Sequence, residues 1–218
     1  MGKTVLLTQQ KGGAGKTTVL TALAAHIAGL GQAVSVVDMD PQGSTAAWAR
    51  ARAARPQRAP VRLVESAEWR ARSDIEAAAA AADWVFVDAP GSADVLGKGA
   101  MRAADFALVP CQPSAADVWA TGATLEHLRE TGLHHAVMFN RVPARGRAAE
   151  AAMLEAEDLG APILTARLGA RSAYPEAFMA GRGGGEGSRA GRAAAEVAAL
   201  ADELARRLGV RLPEPALA

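Results

Sequence analysis

The segment Lys11-Gly12-Gly13-Ala14-Gly15-Lys16-Thr17-Thr18 constrains this chain more than any other stretch. It follows the phosphate-binding pattern G-x-x-x-x-G-K-[ST] closely, and that pattern needs a strand before it and a helix after it. The apolar run Thr4-Val5-Leu6-Leu7 precedes the loop, and an Ala/Leu-rich helical pattern runs from Lys16 to about Leu30. In such a loop the glycines turn consecutive backbone N–H groups inward, and the helix N-terminus adds partial positive charge. Lys16 is then expected along β/γ-phosphate oxygens and Thr17 Oγ on Mg²⁺. Gly12, Gly13, Ala14, Gly15 and Thr18 complete the cradle. The loop also departs from the ordinary pattern. Gln10 stands where the first glycine would fall, and Lys11 sets a second cation at the front edge.

Apolar runs alternate with helical patterns along the remaining chain, which predicts an α/β fold. The sheet should be open and mostly parallel, with helices on both faces. Strands are expected at Lys3–Thr8, Ala33–Asp38, Val61–Val64, Trp84–Asp88, Phe106–Pro110 and His135–Asn140, with a short seventh near Ile163–Thr165. Helices are expected at Lys16–Leu30, Ser44–Ala54, Asp74–Ala82, Ala115–Thr131, Ala149–Leu159, Tyr174–Met179 and Arg192–Leu208. Ser73–Glu76 and Ser114–Asp117 fit capping boxes. Pro143–Arg147 and the glycine-rich Gly181–Gly191 read as mobile loops, the second ordering only with a partner. At 218 residues, with no repeat or long linker, residues 1–218 read as one domain.

The second strand runs into Asp38-Met39-Asp40-Pro41-Gln42-Gly43-Ser44, which places carboxylates at the ligand-binding edge of an open sheet. Residues two apart share a face, so Asp38 and Asp40 can both face the phosphates, with Asp38 either catalytic or a structural acid that ties the phosphate loop in place. Trp84-Val85-Phe86-Val87-Asp88 is a buried strand ending in an acid, the Walker B pattern, and Asp88 should hold Mg²⁺ through water. Gly91–Gly97 follows as a loop suited to sensing the γ-phosphate. Four histidines without metal-ligand spacing and one cysteine, Cys111, leave no disulfide or metal cluster to expect. A net charge of +1 excludes strong global attraction to nucleic acid, so DNA binding needs a local patch. No apolar run reaches the ~18 residues of a membrane span, and the chain reads as cytoplasmic.

The string K-G-G-x-G-K-T-T resembles the deviant Walker A motif of the ParA/MinD ATPases. That resemblance implies that Lys11 reaches the nucleotide of a second protomer, so that ATP and Mg²⁺ are sandwiched in a homodimer. It implies that Asp40 positions the hydrolytic water and the magnesium shell, and that Asn140, in Val137-Met138-Phe139-Asn140-Arg141-Val142, approaches adenine. Lys11, Lys16 and Asp40 are then the catalytic set, and Thr17, Asp40 and Asp88 the metal set. The segment Val109–Trp119 is similar to the P-x-x-P-S-x-x-D stretch of small ParA proteins, and Arg171–Val197 to their C-terminal pattern.

The chain starts at its first strand, which fits the short form without a helix-turn-helix. Such a protein is expected on the nucleoid, its dimer binding DNA without sequence preference. Slow hydrolysis would be stimulated by a ParB-like or cargo adaptor. Arg167, Arg171, Arg189, Arg192, Arg206 and Arg207 are the candidate DNA contacts. A MinD-like membrane role would need an amphipathic anchor, but the stripe Val197, Leu200, Ala201, Leu204, Leu208 reads as core packing, so no stable membrane insertion is expected. A synthetase of the same fold has no use for a trans lysine. Iron–sulfur relatives need at least two cysteines.

Overall fold

The computed structural model describes residues 1–91, 97–187 and 191–214. Among these, β-branched and aromatic runs form six parallel strands: β1 Lys3–Leu7, β2 Val34–Asp38, β3 Arg62–Glu65, β4 Trp84–Asp88, β5 Phe106–Cys111 and β6 His135–Phe139. Their order is β3-β2-β4-β1-β5-β6, so the winding reverses about β1. Ligands in open α/β sheets bind at the C-terminal strand edge where that reversal opens a crevice. The helices are α1 Lys16–Gly29, α2 Ser44–Ala53, α3 Ala71–Ala81, α4 Gly97–Ala103, α5 Ala115–Thr131, α6 Arg147–Glu155, α7 Ala173–Met179 and α8 Gly191–Arg207.

Strand alternation divides the core in two. Val5, Leu7, Val34, Val36, Trp84 and Phe86 face one layer with α1 and α8, while Leu6, Val37, Val85 and Val87 face the other with α3 and α5. The same parity puts Asp38 and Asp88 on the α1 side, directly opposite each other in register. The stripe of α8 is core, as its spacing suggests: Val197, Leu200, Ala201 and Leu204 are all fully buried in the α1 layer. Each of the larger three contributes about 1.5–3 kcal/mol by that burial.

Four expectations are corrected. The seventh strand shrinks to a bridge between Val137 and Ile163. Leu164 N–H still donates to Val137 O, but the N–H groups of Thr165 and Ala166 turn to the Glu203 carboxylate on α8, which ends the ladder. The helix expected from Asp74 begins at Ala71 behind a 3₁₀ turn at Glu68–Arg70. Ser73 lies inside it, donating to Arg70 O, and Glu76 pairs with Arg72 instead of closing a capping box. Helix α4 is an element that the sequence patterns did not predict; glycine at positions 97 and 99 lowers helix propensity there. The expected phosphate-sensing loop Gly91–Gly97 lies largely outside the described residues.

The glycine-rich segment is the fourth. Over residues 181–187 it packs closely. A Cβ on Gly181 would stand 2.4 Å from Arg52 N, one on Gly183 2.5 Å from the Ala25 Cβ, and one on Gly184 2.1 Å from the Tyr174 ring. The glycines serve close approach. The fully buried Arg52 fastens this segment to α2, its guanidinium forked onto Glu186 at 2.9 Å on both arms and donating to Ala59 O. The second expected capping box holds in half: Ser114 Oγ accepts from Asp117 N–H at 3.2 Å and opens α5.

Candidate nucleotide and metal site

The loop between β1 and α1 is built as a cradle for an anion. Gly13 and Gly15 adopt φ +82° and +93°, the left-handed region that turns backbone N–H groups toward one side. Helix α1 starts at Lys16 with no side-chain cap and no acid in its first turn, so its first N–H groups remain available to a ligand. Lys16 is nearly buried, and its ammonium donates to Gln9 O at 3.2 Å across the loop. Gln112 donates to Gly13 O at 2.9 Å, and Asn140 Nδ2 to Ala14 O at 2.9 Å. Gly15 must be glycine on a second count, since a Cβ there would fall 2.2 Å from Asn140 Nδ2.

A cleft of about 510 Å³ opens over this loop, lined by Gly12, Gly13, Lys16, Thr17, Asp40 and Arg141, among others. Asp88 lies beneath it, fully buried. Its Oδ2 accepts from Thr17 Oγ1 at 2.8 Å and from Thr45 Oγ1 at 2.7 Å, whereas Oδ1 has no partner among the described residues. Burial pushes the carboxyl up to about 6 against the pull of those two hydroxyls. An orphaned buried carboxylate oxygen beside a threonine hydroxyl fits a hard, partly hydrated cation such as Mg²⁺. Among the described residues no cluster of three or more His, Cys, Asp or Glu can hold a metal alone. A cation here would therefore take its remaining ligands from phosphate and water.

The two acids after β2 part company. Strand β2 ends at Asp38, so alternation does not carry on to Asp40. Asp38 accepts from Ala46 N–H at 2.7 Å and Asp40 N–H at 3.1 Å, which ties down the turn and the start of α2. Burial raises its pKa. Asp40 lines the cleft with Lys16 and Thr17, and its Oδ1 accepts from Gln42 N–H at 3.0 Å.

The Lys11 ammonium lies 3.0 Å from Asp117 Oδ2 at the start of α5. Beneath it, buried Gln9 binds the same helix: Nε2 donates to Thr121 Oγ1 at 2.9 Å, and Oε1 accepts from Thr124 Oγ1 at 2.8 Å. Asn140 uses both ends of its amide, with Oδ1 accepting from Arg141 N–H at 2.9 Å. One Nδ2 hydrogen and one lone pair remain for a base. Arg141 is the one described non-glycine residue at positive φ, +55°. It borders both the phosphate cleft and an adjoining cleft of about 690 Å³ lined by Asn140, Tyr174, Pro175, Phe178 and Met179. An apolar-walled cavity next to a phosphate cradle suits a purine.

The site thus gathers Lys11 through Thr18, Asp40, Asp88 and Asn140 around one strand edge. Sequence reasoning missed Thr45, Gln9 and Arg141. Only Arg141 carried a signal, as the residue after Asn140 at the edge where ligands bind. Of the six arginines, Arg171 is forked onto Glu196, Arg189 lies outside the described residues, and Arg167, Arg192, Arg206 and Arg207 are exposed.

A family profile described as the CobQ/CobB/MinD/ParA nucleotide binding domain matches residues 5–183. The chain is 32% identical over 184 residues to the maintenance of carboxysome distribution protein A of Halothiobacillus neapolitanus, covering 82% of this chain and 84% of that one. It is 30% identical over 189 residues to Protein ParA of Rhizobium radiobacter, covering 81% and 82%. A Cyanothece McdA–ATP complex superposes with a TM-score of 0.77 at 16% identity, over 96% of this chain and 97% of that one. The Mg-ADP complex of the septum site-determining protein MinD from Pyrococcus horikoshii gives 0.74 at 20%, over 96% and 98%. The two structures share the fold.

Proposed function

Since the chain belongs to the CobQ/CobB/MinD/ParA family of nucleotide-binding proteins, we propose that it is a positioning ATPase of the short ParA type. It binds ATP, dimerises around it, holds DNA without sequence preference, and lets go after hydrolysis stimulated by an adaptor. The observation that carries this reading is the joint one at the cleft. An uncapped helix N-terminus, a buried lysine and an orphaned carboxylate oxygen converge beside Thr17.

Phosphoryl transfer to water needs positioning and charge neutralisation more than covalent chemistry. Lys16 exchanges Gln9 O for the β/γ-phosphate oxygens, and the N–H groups of the loop hold the remaining phosphate charge. Thr17 and Asp88 hold Mg²⁺, which when bound neutralises charge on the phosphate oxygens. Asp40 orients the attacking water, Asn140 meets the base, and Lys11 of one protomer serves the nucleotide of the other. Among the described residues the cleft offers no strong general base, in keeping with a turnover that is slow until an adaptor acts.

The disposition of α8 supports DNA binding. Two of its acids are occupied: Glu196 by Arg171, Tyr174 and Gly169, and Glu203 by two backbone N–H groups. Arg192, Arg206 and Arg207 stay exposed beside them. Phosphate contacts release about one counterion each, so affinity should fall steeply with salt and vary little with sequence. The test is a duplex-binding titration with ATP, ADP and no nucleotide at low and moderate salt. ATP should raise the affinity by at least an order of magnitude through pairing of two protomers. If ATP gives no gain at either salt, the protein positions its cargo on another track.

A further inference from the structure

Thr45 stands in the first turn of α2, five residues after Asp40, and is fully buried. A buried helical threonine ordinarily returns its hydroxyl to a carbonyl of its own helix. Thr21 and Thr121 do this here, donating to Thr18 O and Asp117 O. Thr45, the second residue of α2, has no helical carbonyl three or four residues behind it, and donates across 43 residues of sequence to Asp88 Oδ2 on β4, at 2.7 Å. Thr17 donates to the same oxygen at 2.8 Å. Two hydroxyls from two helices therefore clamp one oxygen of the carboxylate, and the other is left buried without a partner. A carboxylate held by Thr17 alone could swing its plane about χ2. The second donor removes that freedom.

We propose that Thr45 is a positioning residue for the metal site, fixing the Asp88 carboxylate so that Oδ1 is presented to the cation. The proposal rests on the nucleotide–Mg²⁺ reading of the cleft. It also gives the segment carrying Asp40 a direct mechanical link to the metal. Asp40 leads into α2 through a turn closed by Gly43 N–H on Asp40 O at 2.8 Å, and the first turn of α2 is bolted to Asp88. Displacing the metal-bound carboxylate and displacing the Asp40 turn then become one movement.

The test measures fluorescent ADP binding with and without Mg²⁺ for the parent protein, Thr45→Val, Thr45→Ala and Thr45→Ser. The Mg²⁺-free affinity should stay within about twofold in all four, because Thr45 touches no phosphate-binding group. The gain in affinity produced by Mg²⁺ should fall about five- to tenfold in Thr45→Val and Thr45→Ala, and return in Thr45→Ser. Should the valine variant fail to fold, the alanine variant carries the comparison. If melting temperature falls in both but the Mg²⁺ gain is unchanged, Thr45 is a packing residue and the proposal is overturned. If the parent protein itself gains nothing from Mg²⁺, the metal reading of the cleft fails, an outcome distinct from failure of Thr45 alone.

Discussion

At the scale of single residues the site is a set of costs that only a ligand offsets. Asp88 is the clearest. Its carboxyl stands at about 6 in the folded chain against 3.8 when unfolded, so the folded state binds more protons between those values. Stability from this group is full below pH 3.8 and is lost as pH rises through 6. At neutral pH the unliganded protein carries an ionised carboxylate it would be more stable without, at a cost of about 3 kcal/mol. Asp88→Asn should therefore raise the unfolding free energy in EDTA at pH 7.5 by about 1–2 kcal/mol, less than the full figure because the new amide also lacks a partner. The same variant should lose the Mg²⁺ gain in ADP affinity. Denaturant titrations at pH 5 and 7.5 check the sign: the advantage of Asn should shrink toward pH 5. An equal or larger advantage at pH 5 would mean that burial of charge is not the cause. The motif pointed to Asp88 as the acid at this strand edge, but not to its partners, because Thr45 reaches it only once β2 and β4 are paired.

Elements were legible where periodicity and punctuation agree, and illegible where glycine had two meanings. The order of strands and helices follows from apolar runs that are either short and β-branched or long and Ala/Leu-rich, and so does the burial of the α8 stripe. Composition could not say whether the glycines of residues 181–187 mean mobility or close approach, since both call for the missing Cβ. The packing decides it. Gly183 lies against Ala25, a residue on the rigid face of α1, so an added methyl cannot be absorbed by a rotamer change. Gly183→Ala should cost about 1–3 kcal/mol, as overpacking does, and lower the melting temperature by roughly 2–12 °C in a chain of this size. An unchanged melting temperature would return the segment to the pliant loop that its composition suggests. Ser73 shows the opposite failure. A capping pattern is local, but where α3 starts is decided by how the 3₁₀ turn at Glu68–Arg70 delivers the chain.

For the whole molecule the proposed ATP-bound dimer raises the question of what Lys11 does in a single protomer. Lys11, the residue proposed to cross to a second protomer, is engaged by Asp117 of its own chain at 3.0 Å. Asp117 also accepts from the Ser114 hydroxyl and donates its own N–H back to Ser114 Oγ at the start of α5, while Gln9 fixes the loop behind Lys11 to the same helix through Thr121 and Thr124. The front of the phosphate loop is thus set against α5, and a trans contact by Lys11 has to compete with the contact in cis. The competition is mild, because the Lys11 side chain is about one-third exposed (36%) and solvent screens the pair. Such a pair is worth ~0.5–1 kcal/mol, or a factor of about two to five in each protomer. Asp117→Asn keeps an oxygen for the Ser114 cap and removes the charge that retains Lys11. In a slowly hydrolysed ATP analogue with Mg²⁺, this variant should dimerise about four- to twenty-five-fold more tightly by sedimentation equilibrium, the effect counted once for each protomer. Without nucleotide it should remain as monomeric as the parent, since freeing a lysine creates no partner for it. Weaker dimerisation in the analogue would mean that Asp117 works across the interface instead, holding Lys11 in the extended position from which it reaches the second nucleotide.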